Sequence, residues 1–346
     1  MTDAPWSTLL MEKTDLITPM AIRVAATLRL ADHIAAGATS PEALAAQASV
    51  QPAALHRLMC HRVGAGVVRL TESGAYELTE LGEQLREDNP TSGRAWLDID
   101  GPIGRGDLAF FQLLESVRTG ESVYASVYGQ GFWEEVNADP ELSATFDDRM
   151  AASMEWVLPA LVAHGDWSKV RHLVDVGGGS GTLLAAVVEN WPGMRGTLVD
   201  LPGPASAAAQ SFTDIGLGDR CTAVAGSFFD ELPRDGDVYL LSNVLLNWDD
   251  TQAINILSRC AEALAADGRV MVLEGLLDVQ SDVTELDLRM LVYLNGRMRT
   301  RQEMQKLGAA AGLKLDAVTD FGHARSLVEF VPVASGRESA GPDAGN

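Results

Sequence analysis

Basic residues are scarce in this chain of 346 residues, which has 26 lysines and arginines against 48 aspartates and glutamates, a net charge of −22. A surface of that sign repels phosphate backbones and anionic lipid, so we expect neither nucleic-acid nor membrane partners. Long apolar runs are lacking too: one of the longest, residues 238–247, is too short to cross a bilayer. The N-terminus lacks the basic start and apolar core of a signal peptide, which predicts a cytoplasmic protein.

Cysteine is also rare. The chain has only three, Cys60, Cys221 and Cys260, an odd number without the spacing of metal ligands. This favours a reducing compartment and argues against a disulfide framework or a metal site. The content of hydrophobic residues, 47%, and of charged residues, 21%, is that of an ordinary globular protein. At about 150 residues per domain, the length indicates two domains.

The first domain, residues 1–95, is predicted to be a winged helix. Apolar periodicity predicts helices over 19–36, 41–48 and 52–63, and two short strands flank the glycine turn at 72–74. Such a module either reads DNA or mediates dimerisation. Residues 1–90 carry seven basic and eleven acidic side chains, a local charge of −4, whereas a DNA reader has a basic face. We therefore predict a dimerisation domain that binds no DNA.

The remainder changes from helical to alternating patterns. Residues 96–165 are rich in aromatic residues and methionine, which indicates helices that form core and, in part, a pocket for a flat ligand. Residues 166–333 alternate short apolar runs with helices, which predicts a parallel sheet covered on both faces, a Rossmann-like α/β domain. The tail, 334–346, is small and polar and is predicted to be disordered. The predicted strands are 172–176, 196–200, 221–225, 237–242, 269–274 and 326–330.

A glycine-rich turn follows the first of these strands. Asp175 precedes Gly177 by two residues, and Gly179 and a third glycine follow in the pattern G-x-G-x-G before a helix begins. Glycines let a strand turn sharply into a helix and leave the amides bare for a ligand. Nicotinamide sites prefer G-x-G-x-x-G, because they cradle a pyrophosphate. This loop suits S-adenosylmethionine (SAM), whose ammonium and carboxylate groups would meet the loop and Asp175.

Later strand ends extend the same pattern. Asp200 ends the second strand, where an acid accepts hydrogen bonds from both ribose hydroxyls. The third strand is followed by Ser227 and Phe228, where the adenine is expected to lie. The fourth is followed by the segment SNVLLNWDD, which would face the open crevice. Together these residues, in this order, predict a SAM site.

With these motifs the chain resembles the SAM-dependent small-molecule O-methyltransferases of the caffeate and hydroxyindole type, and most of all their bacterial branch that acts on aromatic polyketides. The resemblance covers residues 19–333 and is specific in LVDVGGGSG, LVDLPGPA, GSFFDELP and LSNVLLNWDD. It implies a homodimer built through the N-terminal domain, a Rossmann-like catalytic domain, and SAM as cofactor, converted to S-adenosylhomocysteine (SAH), without a metal. It also implies a phenolic aromatic acceptor.

The resemblance carries roles to individual residues. Gly177 and Gly179 would flank the methionine end of SAM, and Asp200 would bind the ribose. Phe146 and Met150 match family positions that touch the acceptor or the methyl group. The adenine would be framed or approached by Ser227, Phe228, Ser242 and Trp248. Four further residues are alternatives for the acceptor contact, and the sequence does not choose among them: Asn243, Met290, Tyr293 and Arg299.

The sequence departs from the family where the catalytic base is expected. Leu246 occupies the position of the histidine that deprotonates the phenol; Glu274 keeps one of the two glutamates that steady it, and Met298 replaces the other. We therefore predict methyl transfer by proximity and orientation, with Asn247 orienting the reacting oxygen and Glu274 a second candidate contact. A hydroxylase in the same branch leaves an alternative open: SAM-assisted decarboxylation and hydroxylation without methyl transfer. A SAM-sensing regulator is a third, disfavoured by the acidic first domain.

Overall fold

The computed structural model describes residues 6–89, 92–164, 167–279, 284–322 and 325–333. The predicted disordered tail lies outside the described residues. Contacts divide the chain into two compact units, Met1–Phe110 and Phe111–Asn346. Among the described residues, no helix is long and apolar enough to span a membrane.

The first unit contains short helices and one antiparallel hairpin. Its elements are α1 (Trp6–Lys13), α2 (Ile17–Thr27), α3 (Leu30–Ala35), α4 (Pro41–Gln47), α5 (Pro52–Gly64), β1 (Val68–Leu70), β2 (Tyr76–Leu78), α6 (Glu80–Glu83), α7 (Arg94–Leu97) and α8 (Pro102–Leu108). The Ser40 side chain accepts a hydrogen bond from the Ala43 amide and so caps α4. The predicted helix 19–36 is two helices, because Arg29 adopts a left-handed conformation with φ of 52°.

The second unit is an α/β domain preceded by helices. Its elements are α9 (Leu113–Thr119), α10 (Tyr124–Tyr128), α11 (Phe132–Ala138), α12 (Pro140–Met154), α13 (Leu158–Ala163), β3 (His172–Val176), α14 (Thr182–Asn190), β4 (Arg195–Asp200), α15 (Pro202–Asp214), β5 (Cys221–Ala225), β6 (Gly236–Ser242), α16 (Asp250–Ala263), β7 (Leu264–Glu274), α17 (Thr284–Leu294), α18 (Arg301–Ala310), β8 (Leu313–Gly322) and β9 (Arg325–Pro332). Short 3₁₀ turns lie at Ala109–Gln112, Trp167–Lys169 and Leu245–Asn247.

The seven-stranded sheet has the order β5-β4-β3-β6-β7-β9-β8. The first five strands in this order are parallel, whereas β9 runs antiparallel to β7 and β8 antiparallel to β9. The sequence did not predict the antiparallel pair or β8 itself. Strand β8 is an edge strand in which Lys314, Asp316 and Asp320 interrupt the apolar residues, so it has no continuous hydrophobic run.

Hydrophobic core covers both faces of the sheet. In β3, Leu173 packs into one buried cluster, while Val174 and Val176 pack into another. This alternation explains why the central strand reads as an unbroken apolar run. The chain continues from β3 to β4 on one side and returns to β6 on the other, so a crevice opens at the carboxyl end of β3, where ligands bind in folds of this kind.

Candidate active site

The loop after β3 requires glycine at alternate positions. Gly177 and Gly179 have φ of 73° and 56°, a left-handed region that residues with a Cβ rarely adopt. A Cβ added to Gly177 would lie 2.9 Å from Cγ2 of Val244 and 3.6 Å from the Phe228 ring. The loop is thus tightly packed against the segment after β6 and leaves its backbone as the surface of the crevice.

Asp200, at the carboxyl end of β4, binds this loop directly. Its carboxylate accepts hydrogen bonds from the Gly179 amide at 2.8 Å and from the Leu201 amide at 2.7 Å. Burial raises the pKa of Asp200 above its usual value, while the two amides act in the opposite direction. Asp200, the residue predicted to bind the ribose, therefore contacts the glycine loop that is predicted to flank the methionine end of SAM.

Asp175 is a buried acid without a partner. The residue is 1% exposed, and neither carboxylate oxygen has a hydrogen-bond partner among the described residues. Burial, and then the charge of Asp200, raise the pKa of Asp175 to about 7. One carboxylate oxygen lies 2.6 Å from where a Cβ on Gly178 would be. An orphaned acid beneath a bare glycine loop fits a ligand that brings a positive charge, as the amino end of SAM does.

Asp147 on α12 joins these two acids, and the sequence analysis missed it. One of its carboxylate oxygens lies 3.4 Å from where a Cβ on Gly179 would be. Burial first, then the charges of Asp200 and Asp148, raise the pKa of Asp147 to about 7. The sequence does not distinguish Asp147 from the adjacent Asp148. Its one signal for Asp147 is the position next to Phe146, a predicted acceptor residue. No group of residues in the described part of the chain has the geometry of a metal site.

Aromatic rings line the crevice beyond β5. The ring centroids of Phe228 and Trp248 are 5.8 Å apart, and Phe229 lies 5.0 Å from each of them. The Ser227 hydroxyl accepts a hydrogen bond from the Phe229 amide at 3.2 Å, which holds the turn that presents these rings. Ser227, Phe228 and Trp248 are therefore brought together, and Phe229 is an addition to the predicted set.

Helix α12 packs onto the end of β6 through Met154. The Ser242 hydroxyl donates to the Met154 sulfur at 3.7 Å, and the Asn243 side-chain amide donates to the same sulfur at 3.8 Å. Phe146, Met150 and Met154 are spaced by four residues, so they share one face of the helix. The predicted residues Phe146, Met150, Ser242 and Asn243 thus belong to α12 and the strand end that it contacts.

Asn243 and Asn247 are linked to each other. Asn243 is left-handed, with φ of 53°, and its backbone carbonyl accepts a hydrogen bond from the side-chain amide of Asn247 at 2.9 Å. The side-chain oxygen of Asn243 is buried and has no partner among the described residues. One of the two Asn247 amide hydrogens is therefore engaged within the loop, and the side-chain oxygen of Asn247 can accept a hydrogen bond from a ligand.

Leu246, at the position of the family's catalytic histidine, lies in an apolar environment. It forms a buried cluster with Met290 and Met298, and the partly buried Leu286 and Leu294 pack against it. Nothing in this cluster accepts a proton. Met290, one of the four alternatives for the acceptor contact, is therefore part of an apolar wall beside Leu246.

Glu274 and Arg299 form hydrogen bonds with the backbone of the loop 245–248. Both are fully buried. Glu274 accepts a hydrogen bond from the Leu246 amide at 3.2 Å, while burial raises its pKa to about 7 against the opposing charge of Arg299. The three guanidinium nitrogens of Arg299 donate to the Leu245 carbonyl at 2.9 Å, the Trp248 carbonyl at 2.8 Å and the Asp250 carboxylate at 3.0 Å. In this structure Arg299, one of the four alternatives for the acceptor contact, binds the loop.

A second group of aromatic residues surrounds Phe132. Phe146 lies edge-on to Phe132 at 5.9 Å, and Tyr293 stacks on Phe132 at 5.6 Å. Trp133 lies 5.1 Å from Phe146, and its indole nitrogen is buried with no partner among the described residues. Phe132 thus joins Phe146 and Tyr293, two predicted acceptor residues from helices that are far apart in sequence.

Comparison with known proteins agrees with this arrangement. Residues 110–314 match the family model of the O-methyltransferase domain, and residues 12–88 match that of the O-methyltransferase dimerisation domain. The chain is 46% identical over 316 residues to the 2,7-dihydroxy-5-methyl-1-naphthoate 7-O-methyltransferase of Streptomyces carzinostaticus, covering 91% of this chain and 95% of that protein. It is 44% identical to the aclacinomycin 10-hydroxylase RdmB of Streptomyces purpurascens, covering 99% and 94%.

Solved structures show the same fold. The O-methyltransferase NcsB1 from neocarzinostatin biosynthesis, in complex with SAM and 2-hydroxy-5-methyl naphthoic acid, is 45% identical with a TM-score of 0.90. The match covers 94% of this chain and 98% of that one. Both the predicted fold class, a dimerisation domain followed by a Rossmann-like domain, and the predicted family are confirmed. The chain belongs to the O-methyltransferase family, as a member with an N-terminal dimerisation domain and a C-terminal O-methyltransferase domain.

Proposed function

We propose that this enzyme transfers a methyl group from SAM to a phenolic hydroxyl of an aromatic polyketide-type metabolite. The observation that carries the proposal is the orphaned, buried Asp175 beside the bare glycine loop and Asp200, a site that fits a ligand with a positive charge. The aromatic cluster around Phe132 supports a flat aromatic acceptor. Proposed cofactor contacts are Asp175, Gly177, Gly179, Asp200, Ser227, Phe228, Ser242 and Trp248; proposed acceptor contacts are Phe146, Met150, Asn243, Met290 and Tyr293.

SAM, when bound, supplies an electrophilic methyl group whose bonding electrons return to sulfur. The residues of this chain bind the two reactants and hold them in position. Alignment of the acceptor oxygen about 3 Å from the methyl carbon provides most of the rate gain. A positioned base typically adds 10²–10⁴-fold. Leu246 cannot act as that base, so the phenol proton passes to solvent. Before the proton leaves, the side-chain oxygen of Asn247 orients the hydroxyl.

Glu274 and Arg299 are assigned as positioning residues. Their contacts with the 245–248 loop hold Asn247 and Trp248 in place, and neither side chain is exposed toward an acceptor. Glu274 accepts a hydrogen bond from the Leu246 amide, so it has a contact in the loop that needs no histidine.

A second candidate function is SAM-assisted decarboxylation and hydroxylation, favoured by the 44% identity to a 10-hydroxylase; it would consume dioxygen, the source of the added oxygen atom, and two electrons from an added reductant. One assay separates the two. The enzyme is incubated with SAM and a panel of hydroxynaphthoic acids and anthracycline carboxylic acids, and product masses are read. A gain of CH₂ with formation of SAH supports methyl transfer. Loss of CO₂ with gain of oxygen, and SAM unconsumed, supports the second candidate and contradicts the first.

The pH dependence of the reaction is expected to follow the acceptor. With Leu246 in place of a base, the rate should rise with pH until the bound phenol is ionised, and a more acidic phenol should shift this rise to lower pH. The measurement is kcat against pH for two acceptors that differ in phenol pKa. A rise near pH 6.5 that is the same for both acceptors and disappears on replacing one histidine would contradict the expectation.

Among the described histidines of the second unit, neither lies at the crevice. His172 begins β3, roughly 13 Å from its carboxyl end at about 3.3 Å per residue, and its ring contacts the Thr197 hydroxyl at 2.8 Å. Burial lowers the pKa of His172. His164 contacts Glu329 of β9 at 3.3 Å. His323 lies outside the described residues, so His323→Ala is included among the variants.

Substitution of Asn247 tests the role of orientation. Asn247→Ala should lower kcat by roughly tenfold, equivalent to about 1.4 kcal/mol of transition-state stabilisation. It removes both the side-chain oxygen and the hydrogen bond to the Asn243 carbonyl. Asn190→Ala serves as the control, since Asn190 ends α14 and its side chain, among the described residues, bonds only within that helix. A complete loss of turnover in Asn247→Ala would instead identify Asn247 as indispensable to the chemistry.

The first unit is expected to form a homodimer. Its dimerisation domain carries apolar side chains on the surface of one chain: Leu10, Met11, Leu16 and Ile17 are all more than 60% exposed. Burial of such a patch stabilises association. Light scattering at micromolar concentration should give twice the mass of the chain. A monomeric mass, or retention on duplex DNA at physiological salt, would contradict the prediction.

We propose a cytoplasmic location on the basis of thiol chemistry. Cys60, Cys221 and Cys260 are all free, and Cys60 is exposed. An exposed free thiol suits a reducing compartment.

A further inference from the structure

Three carboxyl groups converge on the glycine loop from three different elements. Asp175 comes from β3, Asp200 from the end of β4, and Asp147 from α12. Asp200 is occupied by the Gly179 and Leu201 amides. Among the described residues, Asp147 and Asp175 have neither a hydrogen bond nor an ion pair. The folded chain has therefore gathered negative charge at one place without compensating it.

The position of Asp147 is set by the packing of helix α12 against the end of β6. Helix α12 is held against the end of β6 by Met154, seven residues after Asp147 and on the same face of the helix. The Asp147 carboxylate lies 3.4 Å from where a Cβ of Gly179 would be, so a side chain there would fill the space between loop and acid. Residue 179 also has a left-handed φ of 56°, which favours glycine at this position.

The uncompensated charge has an energetic cost. Burial and the charges of Asp200 and Asp148 disfavour ionised Asp147, and burial and Asp200 disfavour ionised Asp175. Because both acids have raised pKa values in the folded state, their ionisation lowers stability as pH rises from their unfolded values near 4. A cation bound at the glycine loop would offset this cost, and groups with raised pKa values cluster at functional sites.

We propose that Asp147 is a cofactor-binding residue that, with Asp175, binds the ammonium group at the methionine end of the cofactor. Three donor hydrogens of an ammonium group match two carboxylates and a backbone carbonyl of the loop. This inference rests on the proposed use of SAM. It adds a contact from α12, the helix that also carries the proposed acceptor residues Phe146 and Met150, so cofactor binding and the acceptor pocket would share one helix.

The test compares two ligands that differ only in the amino-acid portion. SAH has the ammonium group, whereas 5′-methylthioadenosine retains the adenosine and the thioether but lacks it. Their affinities are measured by calorimetry at pH 8, where the carboxyl groups are ionised. Asp147→Asn should weaken SAH binding about tenfold, the loss of one charge-assisted hydrogen bond, and leave methylthioadenosine binding unchanged. Asp148→Asn is the matched control: it removes the same charge from an exposed position on the same helix.

A second measurement separates a binding role from a structural one. The cofactor-free Asp147→Asn variant should unfold at the same or a higher temperature than wild type at pH 8, because a disfavoured charge is gone. Equal weakening of both ligands, unchanged SAH binding, or an equal effect of Asp148→Asn would overturn the assignment of Asp147. If wild type binds neither ligand, the proposed use of SAM itself fails, and the inference fails with it.

Discussion

Replacing Asp200 with alanine is expected to weaken SAM binding roughly a hundredfold, because hydrogen bonds to a charged group contribute about 1.5–3 kcal/mol each and 1.4 kcal/mol corresponds to a factor of ten. Two effects add. The ribose hydroxyls lose their acceptor, and the Gly179 and Leu201 amides lose the carboxylate that holds the loop. Calorimetry with SAM and SAH measures the change.

Two further variants make the test specific. Asp200→Asn keeps one acceptor oxygen without the charge and should fall between wild type and Asp200→Ala. Asp214→Ala removes an exposed acid at the end of α15 whose side chain accepts a hydrogen bond from Gln210, and it should leave the affinity unchanged. Unchanged affinity in Asp200→Ala, with normal affinity in the control, would move the ribose to another residue.

Replacing Arg299 with methionine is expected to destabilise the protein by about 3–5 kcal/mol, the usual cost of removing one partner of a buried charge network. For a unit of this size the unfolding midpoint should fall by roughly 10 °C. The Leu245 and Trp248 carbonyls lose their donors, and Glu274 loses the positive charge that lowers its pKa. Glu274 should then take up a proton at neutral pH.

The neighbouring arginine provides the matched control. Arg297 also pairs with acidic residues, Glu303 and Asp250, but its side chain is 42% exposed. Arg297→Met should cost no more than about 1 kcal/mol, since exposed ion pairs contribute little. The double variant Arg299→Met with Glu274→Gln should regain part of the lost stability, because it also removes the unpaired buried acid. Equal midpoints for the two arginine variants would contradict the positioning role of Arg299.

The sequence alone determined the parallel strands of the second unit and the glycine loop after β3. Short apolar runs with helices between them specify parallel strands, because a strand covered on both faces must be apolar on both. Gly177 and Gly179 could be identified because the turn from β3 needs left-handed residues, and Asp200 because it ends the next strand. The absence of a base at Leu246 could also be read directly, since it depends on the identity of one residue.

Only the tertiary structure decided which polar residues face the crevice. Asp147 and Asp148 are adjacent acids on one helix, and their sequence does not show which one meets Gly179; the packing of Met154 against the end of β6 does. Arg299 appeared to be a candidate acceptor contact, yet it binds carbonyls about fifty residues earlier in the chain. Strand β8 escaped notice because an edge strand needs only one apolar face. For Asp147 and Arg299 the deciding contact joins residues distant in sequence, so no local pattern records it.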